Sequence, residues 1–191
     1  EDEDLLNLVN FLVEYPVAIK GNFDPAFLEL PKELLVVSMK YHQKYFPVWD
    51  KKNKLLPCFI TVSNMPEEKG NRIKTGNERV LRARLEDARF FYDEDRKKNI
   101  EDFVESLKGV VFQKKLGTIH EKICRVTDLT GILASRICPE KEQQARRAAY
   151  LSKADLVSQM VFEFPELQGI MGGYYALNSG ENPEVAQAIK E

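Results

Sequence analysis

The sequence predicts an α+β chain, with a small N-terminal α+β region over residues 1–75 followed by an all-α helical domain over residues 76–191. Three observations carry that prediction. Up to about residue 65 the apolar residues fall in short runs cut by Pro- and Asn-bearing turns. After residue 75 they recur at three- and four-residue spacing over long segments. Between the two lies "MPEEKGNRIKTG", a Gly- and charge-rich connector.

The elements follow in order. "DLLNLVNFLVE" sets Leu5, Leu8, Val9 and Leu12 at helical spacing behind Asp4 as N-cap, and Pro16 ends that helix. "PVAIKGNF" reads as a short strand and "LPKELLVVSMKYHQKYF" as a helix opened by Pro31. "FPVWD" and "LLPCFITVSN" read as strands around the turn "DKKNK", giving the order α-β-α-β-β. Beyond the connector, "NERVLRARLEDARFFYDEDRKK" places Leu81, Leu85, Ala88 and Tyr92 on one helix face. Arg79, Arg82, Glu86, Arg89 and Asp93 gather on the opposite one. A second long helix is expected from about Phe112 to Ile137, aligning Phe112, Leu116, Ile119, Ile123, Val126, Leu133 and Ile137 with His120 on the flank. "RRAAYLSKADLVSQMVFEF" is apolar nearly all round and predicts a central buried helix holding one acid, Asp155. "ENPEVAQAIKE" opens a last helix with Asn182 as N-cap and Pro183 in the first turn. The missing initiator Met and the brevity of that helix suggest a piece of a longer chain.

Composition narrows the class. At 43% hydrophobic and 30% charged, with a net charge of −2, the chain has the apolar content of a folded protein rather than a disordered one. Cys58, Cys124 and Cys138 are odd in number and lack CxxC spacing, which points to reduced thiols and a cytoplasmic protein rather than a disulfide framework or zinc site. No apolar run reaches the roughly 18 residues of a membrane helix, and the acidic start "EDED" is the opposite of a secretory signal. P-loop, GxGxxG and serine or cysteine triad patterns are absent from the sequence.

One spacing points to chemistry. His120, with Ala154-Asp155 some thirty residues on, is similar to the ligand spacing of HD-type helical phosphohydrolases, in which a His, a His-Asp pair and a further Asp converge on divalent metal. Ala154 stands where the pair needs His, so the resemblance is to a degenerate HD domain short of metal ligands. The structural readings are a half-buried His120 and an Asp155 that must find a hydrogen-bond donor. The arginine face reads either as a solvated helix laced to Glu86, Asp87 and Asp93, or as a phosphate-binding surface extended by Arg72 and Lys74 in the connector. Tyr41, His42, Lys44, Tyr45 and Phe46 either stack bases or end an amphipathic helix.

Four runs resemble one family: "SMKYHQKYFPVWDKKNKLLPCFITVSN", "GNERVLRARLEDARFFYDEDRKK", "LKGVVFQKKLGTIHEKICRV" and "LSKADLVSQMVFEFPELQGIMGGYYALNSGE". In order and content they look like the β subunit of the bacterial two-subunit glycyl-tRNA synthetase, as an internal portion lacking the N-terminal region and the C-terminal anticodon-binding domain. The resemblance implies a share in a glycine–tRNA ligase whose α subunit resembles a class II catalytic core and binds ATP, with magnesium, and glycine. The β subunit would support tRNA(Gly) recognition and hetero-oligomer assembly, leaving this chain without catalytic residue, metal or cofactor. It further implies that residues 76–191 are the family's HD-like domain, with His120, Ala154 and Asp155 at degenerate HD positions and Asp155 kept for packing. Residues 1–75 would be a tRNA-contacting module similar to those in the larger subunit of phenylalanyl-tRNA synthetase. The expected tRNA-binding residues are Arg72, Lys74, Arg79, Arg82 and Arg89. The rival classes are a metal-dependent HD-type phosphohydrolase and a pure protein-interaction module.

Overall fold

β-Branched and aromatic residues in the first third of the chain build a small sheet. The computed structural model describes residues 2–65 and 70–191. Strands β1 (Val17–Asn22), β2 (Phe46–Trp49) and β3 (Leu55–Ser63) form a three-stranded antiparallel sheet in the order β1-β3-β2. Gly21 pairs with Phe59, and a Cβ at Gly21 would lie 2.3 Å from Phe59 Cζ, so the aromatic ring occupies the space the glycine leaves. Tyr45 stacks on Phe59 with ring centroids 4.5 Å apart. The turn expected at "DKKNK" forms because Asp50 Oδ1 accepts the amides of Lys52 and Lys54, while Asn53 takes a left-handed φ of 58°.

Among the described residues two α-helices fall within this part of the sequence and a third follows it. In α1 (Glu3–Asn10) the cap is Asp2 rather than Asp4, because the Asp2 carboxylate is the one that reaches the Leu5 amide, at 3.1 Å. Leu5 and Val9 are buried, whereas Leu8 and Leu12 face out. α2 (Lys32–Val37) runs into a π turn over Ser38–His42 and stops where Tyr45 N donates to Met39 O and Lys44 turns left-handed. α3 (Gly70–Asp95) begins inside the expected connector, whose residues 66–69 lie outside the described residues. Thr75 Oγ1 donates to Asn71 O at 3.0 Å and Lys74 pairs with Glu78 at 3.8 Å. Once a turn is nucleated each added residue gains a hydrogen bond, which offsets the roughly 1 kcal/mol cost of glycine at Gly76.

Contacts divide the chain into two compact units, Glu1–Phe90 and Phe91–Glu191, the division falling within α3. In the second unit α4 (Ile100–Ser106) carries a capping box of Asn99 and Asp102. Then come β4 (Val111–Gln113), β5 (Gly117–Thr118), α5 (Ile119–Ile137), α6 (Glu142–Leu151), α7 (Gln159–Glu163), α8 (Ile170–Asn178) and α9 (Pro183–Lys190). Two expectations are corrected here. The region is not all helical, since β4 and β5 form a hairpin where the helix was expected to start. Gly117, at φ 83°, cannot continue a helix, and Thr118 with Glu121 closes a capping box that starts α5 afresh. The expected helix over 146–164 is broken as well. α6 ends at Leu151, a 3-10 turn spans Ala154–Val157, and Ser158 in extended backbone caps α7 by accepting the Val161 amide. α5 packs on α6, α6 on α9 and α9 on α8, around a core that includes Phe103, Leu107, Ile123, Leu151, Met160 and Phe164.

Candidate nucleic-acid interface

The arginine-bearing helix is held by its other side. Leu81, Leu85 and Ala88 are wholly buried at i, i+4 and i+7, which fixes α3 in rotation and sends Arg79 and Arg82 outward. Among the described residues neither of these arginines makes an ion pair or hydrogen bond, so the expected lacing to Glu86 is not formed. Arg72 is exposed seven residues before Arg79, two helical turns away on the same side. The other two expected cations are engaged within their own unit. Lys74 faces Glu78, whose carboxylate also accepts the Asn22 amide at 2.8 Å. Arg89 donates from Nη2 to Ala26 O at 2.6 Å, and its guanidinium lies 4.6 Å from the centroid of the Phe27 ring.

The aromatic-basic cluster at 41–46 mostly serves the helix end. Tyr45 is buried against Phe59, and Lys44 Nζ donates to Tyr41 O at 2.8 Å, leaving the Tyr41 ring exposed.

The degenerate HD positions are built differently from a ligand cluster. Asp155 is completely buried, and its Oδ2 accepts the backbone amides of Gly169 at 2.6 Å and Gly172 at 2.8 Å. Among the described residues its Oδ1 has no hydrogen-bond partner. Burial pushes the Asp155 carboxyl above its ordinary value, against the pull of the two glycine amides. Ala154 beside it is buried and offers only a methyl group. His120 is half-buried, with Nδ1 3.8 Å from Cys124 Sγ and its ring edge-on to Tyr150 at 6.5 Å. Neither His120 nor Asp155 is a partner of the other. Among the described residues no group of three or more His, Cys, Asp or Glu is placed to hold a metal ion, so the residues present do not fit the divalent site of an HD phosphohydrolase.

A second buried acid went unread in the sequence. Asp95, completely buried, accepts the amides of Gln159 at 3.0 Å and Met160 at 2.9 Å, and the hydroxyl of Tyr175 at 2.9 Å. Its signal was present: Asp95 lies seven residues beyond Ala88, on the same buried stripe as Leu81 and Leu85. Burial, and then the Asp95 carboxylate, raise the Tyr175 phenol above its ordinary value and keep it a donor.

The comparison with known proteins covers every residue. The family model described as "Glycyl-tRNA synthetase beta subunit" matches residues 1–191. Proteins named glycine–tRNA ligase beta subunit match the whole chain at 57% identity in Geobacter sp. (strain M21), 53% in Syntrophus aciditrophicus (strain SB) and 54% in Geobacter sulfurreducens. The chain spans 28% of the length of these relatives. Matched from end to end by that family, the chain belongs to the glycyl-tRNA synthetase beta subunits.

Proposed function

We propose that the chain serves tRNA(Gly) recognition and subunit assembly in a cytoplasmic, hetero-oligomeric glycine–tRNA ligase, and contributes no catalytic group. ATP with magnesium, and glycine, would be bound by the α subunit. The helical unit would then be an HD-like scaffold whose acid has become a packing element. The observation that carries the reading is the exposed row Arg72, Arg79 and Arg82 on one side of a 26-residue helix, unengaged among the described residues at Arg79 and Arg82. Cations spaced along a rigid helix suit the phosphates of an RNA backbone, and their local density matters more than a chain charge of −2.

The test is salt-dependent binding of tRNA(Gly) to the intact two-subunit enzyme. Each arginine that meets a phosphate flattens the log–log salt slope by about 0.7–0.9 when replaced by alanine. Unchanged slopes for Arg72→Ala, Arg79→Ala and Arg82→Ala together would remove this helix from the RNA interface.

A further inference from the structure

Trp49 closes β2 at the edge of a cavity of about 230 Å³. Its pairing with Leu55 in β3 fixes the backbone, yet the residue stays 39% exposed. The buried side chains of Leu30, Leu35 and Leu55 line the cavity within, and the exposed Lys32, Asn53 and Lys54 line its mouth. The turn that presents Asn53 and Lys54 is held in one shape. Asp50 Oδ1 accepts the Lys52 and Lys54 amides, and the Asp50 amide donates to Lys54 O at 2.9 Å. The single acid of that turn is thereby committed to its backbone, and Lys51, Lys52 and Lys54 leave it basic. Among the described residues neither their ammonium groups nor that of Lys32 makes an ion pair or hydrogen bond.

We propose that this cavity receives one unpaired nucleobase of tRNA(Gly), laid against the Trp49 indole, with the flanking phosphates on Lys32 and Lys54. Three arguments fix the occupant. Pockets that enclose a whole small ligand run to about 300–1,000 Å³, so a smaller cavity open beside an aromatic ring suits one planar base. Single-stranded RNA is held by stacking splayed bases on aromatic side chains while cations follow the backbone, and here the ring and the cations meet at one opening. An apolar peptide side chain would fill the interior but leave the lysines without a partner, whereas a nucleotide joins a flat base to an anion. The Asn53 amide adds a donor and an acceptor for the base edge. The proposal rests on the tRNA reading above and adds the part of the RNA that is taken, an unpaired nucleotide, where the α3 arginines meet phosphates alone.

Hydroxyl-radical footprinting of the intact two-subunit enzyme, with and without tRNA(Gly), reads Trp49 in the unaltered protein. Trp49 is expected to oxidise readily in the free enzyme and about fivefold more slowly with tRNA bound, because a stacked base excludes solvent from the ring. Equal oxidation in the two states would overturn the proposal. Protection already present in the free enzyme would give the face to a protein contact, and protection by ATP alone would give it to a free nucleotide; either overturns it too. Binding by variants supplies a second arm. Trp49→Leu should weaken tRNA(Gly) binding about tenfold with its log–log salt slope unchanged, since stacking releases no counterions, and Trp49→Phe should recover most of the loss. Lys54→Ala should instead flatten the slope by about 0.7. Parent-like affinity of Trp49→Leu, with slopes still flattened by Arg79→Ala and Arg82→Ala, would sink this site and leave the α3 contact standing. Parent-like binding by all of these variants would remove both.

Discussion

Asp155 Oδ2 and the Gly172 amide are 2.8 Å apart, and the same oxygen takes the Gly169 amide at 2.6 Å. One carboxylate oxygen thus joins the 3-10 turn after α6 to the first turn of α8, fourteen to seventeen residues on. Removing the acid strands two donors, the buried Gly172 amide and the part-buried Gly169 amide. Asp155→Ala is expected to lower stability by about 2–6 kcal/mol, roughly 1–3 for each unpaired group. Asp155→Asn keeps an oxygen for both amides and should cost far less. Denaturant unfolding of the two variants side by side checks this, and equal losses would mean that the amides are not the partners that matter.

The same carboxyl gives a pH signature. Its folded-state value is raised above the ordinary 3.8 by burial, with Lys153 and the glycine amides opposing, so the folded state holds the proton more tightly than the unfolded chain. The stability this supplies is complete below the unfolded value and is lost as pH rises through the folded one. Asp155→Asn cannot titrate and should lack that decline. From about pH 4 upward the stability difference between parent and variant should move in the variant's favour. Parallel pH–stability curves would show that the acid is ionised in the fold.

Two glycines in helices should respond to alanine with opposite sign. At Gly173 a Cβ would lie 2.7 Å from Ala186 O and 2.5 Å from Lys190 Cγ, where α9 crosses α8. The backbone carbonyl cannot swing away, so Gly173→Ala should cost about 1–3 kcal/mol from overpacking. At Gly76 nothing lies within 4 Å, and alanine there should stabilise α3 by about 0.5–1 kcal/mol through helix propensity. Melting curves of the two single variants decide it.

Asp95 works as a cap from a distance, accepting the first two amides of α7 while Tyr175 of α8 donates to it. Tyr175→Phe removes one donor and leaves the acid with two, so a loss of about 1.5–3 kcal/mol is expected for a bond to a charged group. Asp95→Ala leaves two amides and a hydroxyl unpaired and should cost more. In the double variant the losses should fall short of their sum, because the two residues share one interaction. Strict additivity would show that the hydroxyl bond is immaterial.

What the sequence made legible was chemistry local to it. The turn at Asp50 to Lys54, the cap at Asn182, the start at Pro31 and the stripe of Leu81, Leu85 and Ala88 are each set by neighbours within one or two turns. The hairpin at 111–118 was hidden because Phe112, Leu116, Ile119 and Ile123 keep helical spacing across it by coincidence. Only Gly117 and the Thr118-to-Glu121 box mark the break. The break after Leu151 was hidden for another reason: a stretch apolar nearly all round gives no periodicity to interrupt. The partners of Asp155 and Asp95 lie 14 to 80 residues away and leave no local trace.

Arg82 and Arg89 share one side of α3 by sequence, yet the fold gives them different work. Arg89 stacks on Phe27 and bonds the Ala26 carbonyl, whereas Arg82 makes no such contact among the described residues. Arg89→Ala should therefore destabilise the chain by about 1–3 kcal/mol, combining a lost charged hydrogen bond with a partly exposed cation–π contact. Arg82→Ala should stay within about 0.5 kcal/mol of the parent, as an exposed residue without partners does. RNA binding is predicted to order them the other way. Arg82→Ala should weaken tRNA(Gly) binding by the intact enzyme and flatten its salt slope, and Arg89→Lys should bind nearly as the parent does while recovering little of the stability. A lysine keeps the charge but loses the planar fork that meets carbonyl and ring together. If Arg89→Lys instead restored stability in full, the contact would be one of charge alone. If Arg89→Ala flattened the slope as far as Arg82→Ala, the guanidinium would have to leave Phe27 to reach RNA.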